Sequence, residues 1–140
     1  MTDSLGFLMN RVASAIRTEF ERELAPYGVT AQQFPVLRLA LELDCPRPSE
    51  MAEALGIDRG AVTRLIDRLA EKGLVERSGD PTDLRAARVT LTPRGQTLVP
   101  VLMEIARHRN DAALRILEPV ERAALIDYLK RMLEKVRQPE

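Results

Sequence analysis

Residues 48–74, PSEMAEALGIDRGAVTRLIDRLAEKGL, limit this chain more than any other stretch, because they read as two helices joined by a tight turn. Pro48 suits a first helical position, where its missing N–H would have no partner in any case. Glu50 follows in the first turn, where the helix dipole favours an anion. Gly56 falls where that helix must stop in a left-handed residue. Asp58 is placed to cap the next helix with its side-chain oxygen. That second helix, about 59–72, repeats Val62, Leu65, Ile66 and Leu69 at i, i+3, i+4 and i+7, a single apolar stripe. Gly60, Arg64, Asp67 and Glu71 lie opposite the stripe, flanked by Thr63 and Arg68. The outward N-terminal half is therefore small and basic: Arg59, Gly60, Thr63, Arg64. A helix-turn-helix meets base edges with the N-terminal residues of its second helix. Gly60 would let the backbone come close, and Arg64 has the fork to reach guanine N7 and O6. The same spacing also fits an ordinary amphipathic hairpin with a solvated charged face.

The flanking chain reads as support. A first helix over 4–25 carries Leu5, Leu8, Val12, Ala15, Ile16, Phe20 and Leu24 at helical spacing, and Met9 and Ala13 widen that stripe. Pro26-Tyr27-Gly28 breaks it. Thr30-Ala31-Gln32-Gln33 is a capping-box pattern, which starts a second helix near Ala31 and carries it to about Leu43. Pro35 should tighten or kink its beginning. After Lys72-Gly73 the period changes to two. Leu74–Arg77 and Ala87–Leu91 alternate, and Ser78–Asp83 between them is turn chemistry, so the pair predicts a β-hairpin. A hairpin directly after a candidate recognition helix is a wing. Thr92-Pro93 then starts a long helix to about Leu117, and Glu118-Pro119 starts another that ends near Val136. The fold class is mainly α with a small β-hairpin wing.

Composition sets limits on function. Of 140 residues, 45% are hydrophobic and 30% charged, which is globular rather than disordered. Net charge is zero, against a generic polyanion binder. Its distribution is uneven: residues 1–55 hold five basic and eight acidic side chains, whereas 56–94 hold eight and six. The positive excess falls on the helix-turn-helix and the wing. The start MTDSLGFLMNR has no signal-peptide character, and no apolar run is long enough for a membrane span. A cytoplasmic protein with no membrane partner is the expectation. Helices one, five and six are longer than the central region needs for cover, and each has a broad apolar stripe. A twofold dimer would bury these faces and set two recognition helices about 34 Å apart.

At this point the chain resembles the MarR family of bacterial transcriptional regulators. The resemblance runs over nearly the whole chain and is most specific in residues 49–96, where Val62-Thr63-Arg64 with Leu69–Val75 matches the recognition-helix pattern. Asp83-Leu84-Arg85 matches the family's Asp-x-Arg wing motif, and Leu91-Thr92 with Gly95 matches the wing's exit. The resemblance implies one MarR-type domain over 1–140. In it, 30–95 form a winged helix-turn-helix, and 1–29 with 96–140 form a helical dimerisation region. It implies a homodimeric repressor of a palindromic double-stranded operator, released by a small aromatic or phenolic ligand. By the same resemblance Thr63 and Arg64 meet the major groove and Arg85 the flanking minor groove, where narrow tracts attract arginine. Asp83 orients that arginine or braces the tip. Arg59, Arg68, Arg77 and Arg88 are candidates for phosphate contacts, which position rather than specify.

Other residues carry weaker signals. The family's ligand cleft lies between the terminal helices and the DNA-binding lobe. Met9, Arg17, Tyr27, Phe34 and Arg38 are candidates to line it; Phe34 and Met9 as core, with both arginines as surface, is the competing reading. Cys45 is the lone cysteine, so no internal disulfide forms. It sits in a loop rather than near the start of helix one, where thiol-sensing relatives carry theirs, and reads as incidental or as a sensor. His108 is the lone histidine and has no companions for a metal site. No cofactor, metal or catalytic motif is expected, which sets a small enzyme aside. The rival from another class is a winged-helix protein-interaction module without DNA binding, supported by the near-zero net charge.

Overall fold

The computed structural model describes residues 3–79 and 82–138. Six α-helices and one hairpin follow in the order α1 (Leu5–Leu24), α2 (Phe34–Glu42), α3 (Pro48–Leu55), α4 (Arg59–Glu71), β1 (Val75–Ser78), β2 (Arg88–Leu91), α5 (Pro93–Leu114) and α6 (Pro119–Arg137). The turn between α3 and α4 follows the residues that suggested it. Gly56 is left-handed at φ 68°, and Ile57 N–H and Gly56 N–H donate back to Ala52 O and Glu53 O. This paired closure satisfies two carbonyls that the helix end would otherwise leave bare. Asp58 Oδ1 accepts from Ala61 N–H at 2.7 Å and starts α4.

Two boundaries differ from the sequence reading. The capping box at Thr30 and Gln33 forms in both directions, at 3.2 and 3.1 Å. Yet regular helix begins at Phe34 rather than near Ala31. Pro35 has no N–H to return to the carbonyl of Ala31, so the first turn stays a turn. Helix α5 stops at Leu114 rather than Leu117, and Leu117 N–H closes on Leu114 O in a tight final turn. Pro100 lies inside α5 without ending it, a residue the periodicity passed over.

The strands pair antiparallel, Val75 with Leu91 through Ser78 with Arg88. On the far edge of β2, Val89 N–H donates to Pro46 O at 2.9 Å, so the loop before α3 adds one bond to the ladder. Val89 and Leu91 face inward as the alternation required. They join Val62, Ile66 and Leu69 of α4, Val36 and Leu37 of α2, Met51 of α3, and Val99 and Leu102 of α5 in one core. Phe20 of α1 meets Phe34 of α2 edge to face, with ring centres 5.3 Å apart. Outside this core the apolar stripes are uncovered: α6 buries no residue fully, and Val120 and Val136 are 76% and 83% exposed. The first half of α1 is similar, with Leu5 60% exposed. Among the described residues no helix is long and apolar enough to cross a membrane.

The base of the hairpin is locked where α4, β1 and α5 meet. Gly73 is left-handed at φ 74°, Thr92 Oγ1 donates to Gly73 O at 2.6 Å, and Thr92 N–H donates to Leu74 O at 3.1 Å. Gly95 N–H donates to Thr92 Oγ1 at 3.1 Å, which caps α5. A Cβ on Gly95 would overlap the Leu74 carbonyl, so only glycine lets α5 approach the strand this closely. Gly95→Ala is therefore expected to cost about 1–3 kcal/mol, the usual range for overpacking. Gly6→Ala, where added bulk meets nothing within 4 Å, should be neutral to stabilising. Chemical denaturation midpoints of the two variants check both signs.

Candidate nucleic-acid interface

Burying Val62, Ile66 and Leu69 fixes the rotation of α4 about its axis, and that rotation puts Arg59, Gly60, Thr63, Arg64, Asp67 and Arg68 in solvent. Arg59, Arg64 and Arg68 form no ion pair or side-chain hydrogen bond with other described residues. Their guanidinium charges remain unneutralised on one face. A Cβ built on Gly60 would stand 3.2 Å from Asp58 Oδ1 and 3.5 Å from Arg64 Nη1, so the missing side chain leaves room for the arginine to lean back along the helix.

Asp83 organises the described part of the wing tip. Its Oδ1 accepts from Arg85 N–H at 3.0 Å, and its carbonyl accepts from Ala86 N–H at 3.0 Å. The Arg85 side chain projects outward, 90% exposed, with Nε 3.8 Å from the same carboxylate. Two expected phosphate contacts are already engaged within the fold. Arg77 bonds Asp67 Oδ1 at 2.7 Å and the Thr63 carbonyl at 3.2 Å. Arg88 is half-buried and donates to the carbonyls of Arg85 and Ala87 at 3.3 and 3.1 Å. A shallow cleft of about 340 Å³ under α4 sets Thr30 and Gln32 beside Arg64 and Arg68. The sequence did not single out that pair, because nothing in it shows that the connector before α2 passes under the recognition helix.

Two further ties anchor the lobe. The Glu50 carboxylate accepts from Arg47 Nε at 2.9 Å and from Arg47 N–H at 3.2 Å. These bonds, the side-chain one first, hold its carboxyl below the usual range and keep the start of α3 anionic. At the far end of α4, Lys72 Nζ donates to Gly28 O at 2.5 Å and to the buried Gln33 Oε1 at 2.8 Å. Lys72 thereby ties α4 to the α1–α2 connector.

The five residues expected around one cleft are divided among three places. Phe34 and Arg38 line a cavity of about 880 Å³ between α1, α2 and α5, with Ile16, Phe20, Met103 and Arg107 as neighbours. Phe34 is buried at its base, and Arg38 is paired with Glu42 at 2.8 Å. Met9 lies instead in a separate apolar groove of about 860 Å³, against Tyr128, Met132 and Val136 of α6. Arg17 faces solvent, and Tyr27 sits on the short 3-10 turn after α1, 41% exposed; neither lines a described cavity. The division has a simple cause: Met9 shares a face of α1 with Ile16 and Phe20 but lies two turns, about 10 Å, before Ile16 along the helix, and Arg17 is turned about 100° from Ile16. Arg109 of α5 bonds Glu23 of α1 through Nε at 2.7 Å and holds the cavity's wall. Cys45 is exposed in its loop, at φ 45°, and His108 is exposed with Nε2 3.4 Å from Glu104 Oε1.

With this geometry established, similarity to known proteins is specific. The MarR family model matches residues 29–87. The multiple antibiotic resistance protein MarR of Salmonella typhimurium is 43% identical over 75 residues, and the match spans about half the length of that relative, 52%, and 54% of this chain. Among solved structures, BpsR of Bordetella bronchiseptica, whose DNA binding is regulated by 6-hydroxynicotinic acid, superimposes with a TM-score of 0.85 at 30% identity, covering 94% of each chain. A mutant MarR from E. coli complexed with operator DNA gives 0.83 at 33% identity, covering 92% of this chain and 93% of that one. Fold, helix-turn-helix, wing and these likenesses agree, and the chain belongs to the MarR family of winged helix-turn-helix transcriptional regulators.

Proposed function

We propose that two copies of this chain bind a palindromic operator and act as a repressor in the cytoplasm. In this reading α4 of each copy enters a major groove and each wing reaches the flanking minor groove. The observation that carries it is the pair of solvent-facing guanidinium groups, Arg64 on α4 and Arg85 on the wing, which the fold leaves without strong internal partners. Arg64 and Thr63 are the proposed base readers. Arg59 and Arg68 are the proposed phosphate contacts, with Thr30 and Gln32 as polar neighbours. Dimerisation is supported by α6, whose apolar residues are at most partly covered within one chain. An apolar helical face of this extent is unstable in water without a partner.

The proposed effector site is the cavity between α1, α2 and α5. Its size suits a small organic ligand. Phe34 and Phe20 offer aromatic edges, and Arg38 at the mouth offers a fork to an anionic group. A small aromatic acid fits this chemistry. Gln33 joins that cavity to α4, since Phe34 follows it in sequence and its side chain holds Lys72. A shift of α2 caused by ligand would thereby displace the end of the recognition helix.

Selection of bound sequences from random duplex DNA tests the reading, and a palindromic consensus is the expected result. Enrichment of no sequence would instead favour a protein-interaction module. Arg64→Ala should weaken binding to the selected operator by about 1–3 kcal/mol and relax preference at one position, as loss of a bidentate base contact does. A mobility-shift titration reads both. Sedimentation should give twice the 15.7 kDa chain mass, and Leu133→Asp with Val136→Asp should return it to the monomer and reduce operator affinity. Arg38→Gln should weaken release by an aromatic acid by about 1.5–3 kcal/mol, the range for a charged hydrogen bond; operator titrations at graded acid concentrations measure it.

A further inference from the structure

The outward face of α4 contains an anion that a DNA reader does not want. Asp67 lies one turn from Arg64 on the same side, and its side chain is 51% exposed. Left alone, its carboxylate would repel the phosphates that Arg59 and Arg68 attract. It is not left alone. Arg77 crosses from the wing strand β1, pairs with Asp67 at 2.7 Å, and donates to the Thr63 carbonyl at 3.2 Å. This polar link adds to the apolar packing of Val62, Ile66 and Leu69 against Val75, Val89 and Leu91.

The hairpin needs such a link. Its ladder is four residue pairs long, and a two-stranded ribbon is marginally rigid by itself. The joint at Gly73, Thr92 and Gly95 fixes its base, and buried Val89, whose N–H donates to Pro46 O, holds β2 but leaves β1 on its outer side. From there to the far end of β1 is about 13 Å of strand. A small rotation at the base moves Arg85 by a large fraction of a base-pair step. Arg77 lies midway along this lever, opposite Val89, where a strut acts against rotation.

We infer that Arg77 is a positioning residue rather than a phosphate contact. With Asp67 and the Thr63 carbonyl it sets the distance between recognition helix and wing. The spacing between bases met by Arg64 and the flanking groove met by Arg85 is thereby held to one value. This rests on the DNA-binding reading above and adds a determinant of operator spacing to it.

Charge alone and positioning predict opposite signs. If Arg77 touches phosphate and Asp67 merely repels it, Asp67→Asn tightens binding and Arg77→Met lowers the slope of log K against log salt by about one. If the pair is a strut, Asp67→Asn and Arg77→Met each weaken binding by about fivefold, the upper range for a partly exposed pair, with the slope unchanged. The exchange Asp67→Arg with Arg77→Asp keeps net charge and should restore part of the affinity, since an aspartate at 77 re-forms the ion pair but cannot donate to the Thr63 carbonyl. Operators with one base pair added between the core and the flanking tract should be rejected by wild type and tolerated by the single variants. A second measurement needs no DNA: hydrogen exchange of the β1 and β2 amides should quicken in both single variants and recover in part in the exchange variant, with circular dichroism confirming that all are folded. Tighter binding by Asp67→Asn, a lowered slope in Arg77→Met, or unchanged amide exchange overturns the inference. A wild-type chain that enriches no duplex refutes the DNA reading separately, while the exchange rates still decide whether the strut exists.

Discussion

The burial of one face of α4 is the constraint on which the remaining structure depends. Val62, Ile66 and Leu69 are wholly withdrawn from water, and each is worth roughly 1.5–3 kcal/mol relative to exposure. That burial fixes the helix's rotation to within the width of its stripe. Since side chains recur every 100°, the same burial decides that Arg59, Thr63 and Arg64 face away. The site is thus the unavoidable complement of the core. Its guanidinium groups need no device to hold them out, because the apolar face leaves them nowhere else to go.

The ends of α4 and the base of the wing convert that rotation into a rigid presentation. Gly56 and Asp58 define where the helix begins, and Gly73 and Lys72 define where it ends. The Gly95 approach then seats α5 against the same junction. Long helices α1 and α5 pack beside the lobe and enclose the cavity at Phe34, so a ligand there is one residue from the hydrogen bond that holds Lys72. Proximity of this kind would give an effector bound there a physical route to α4. It requires that the two states differ in how the ligand is held.

Two features of the single chain are energetically incomplete, and they point outward. The apolar surface of α6 and of the first half of α1 is exposed over large side chains such as Leu5, Val120 and Val136. Arg59, Arg64 and Arg68 of α4 have no ion-pair partner among the described residues, and Arg85 at the wing tip has only the Asp83 carboxylate 3.8 Å from its Nε. Apolar surface is relieved by another apolar surface, and a row of guanidinium groups by a polyanion. The fold keeps them apart, with exposed apolar surface in the terminal helices and basic character in the central lobe.

Local chemistry made much of this legible from residue order. The caps at Asp58 and Thr92, the left-handed Gly56 and Gly73, the stripe on α4 and the alternation around Val89 all act within a few residues, so the sequence states them directly. Pro35 showed the limit even locally: the capping box was legible, but the missing N–H delayed the helix. Distant neighbours were not legible. Periodicity places Phe34 on a helix face but does not say that Ile16, Phe20 and Met103 lie opposite it, and the family's cleft suggested Met9, Arg17 and Tyr27 beside Phe34, whose cavity they do not line. Arg77 reads from the sequence as a phosphate contact, whereas the fold brings it onto Asp67. The sequence alone determined which elements form and which faces they bury, because those follow from spacing along one chain. Only the tertiary structure decided which charges are spent within the fold and which stay free for a partner, because that depends on distances between residues far apart in sequence.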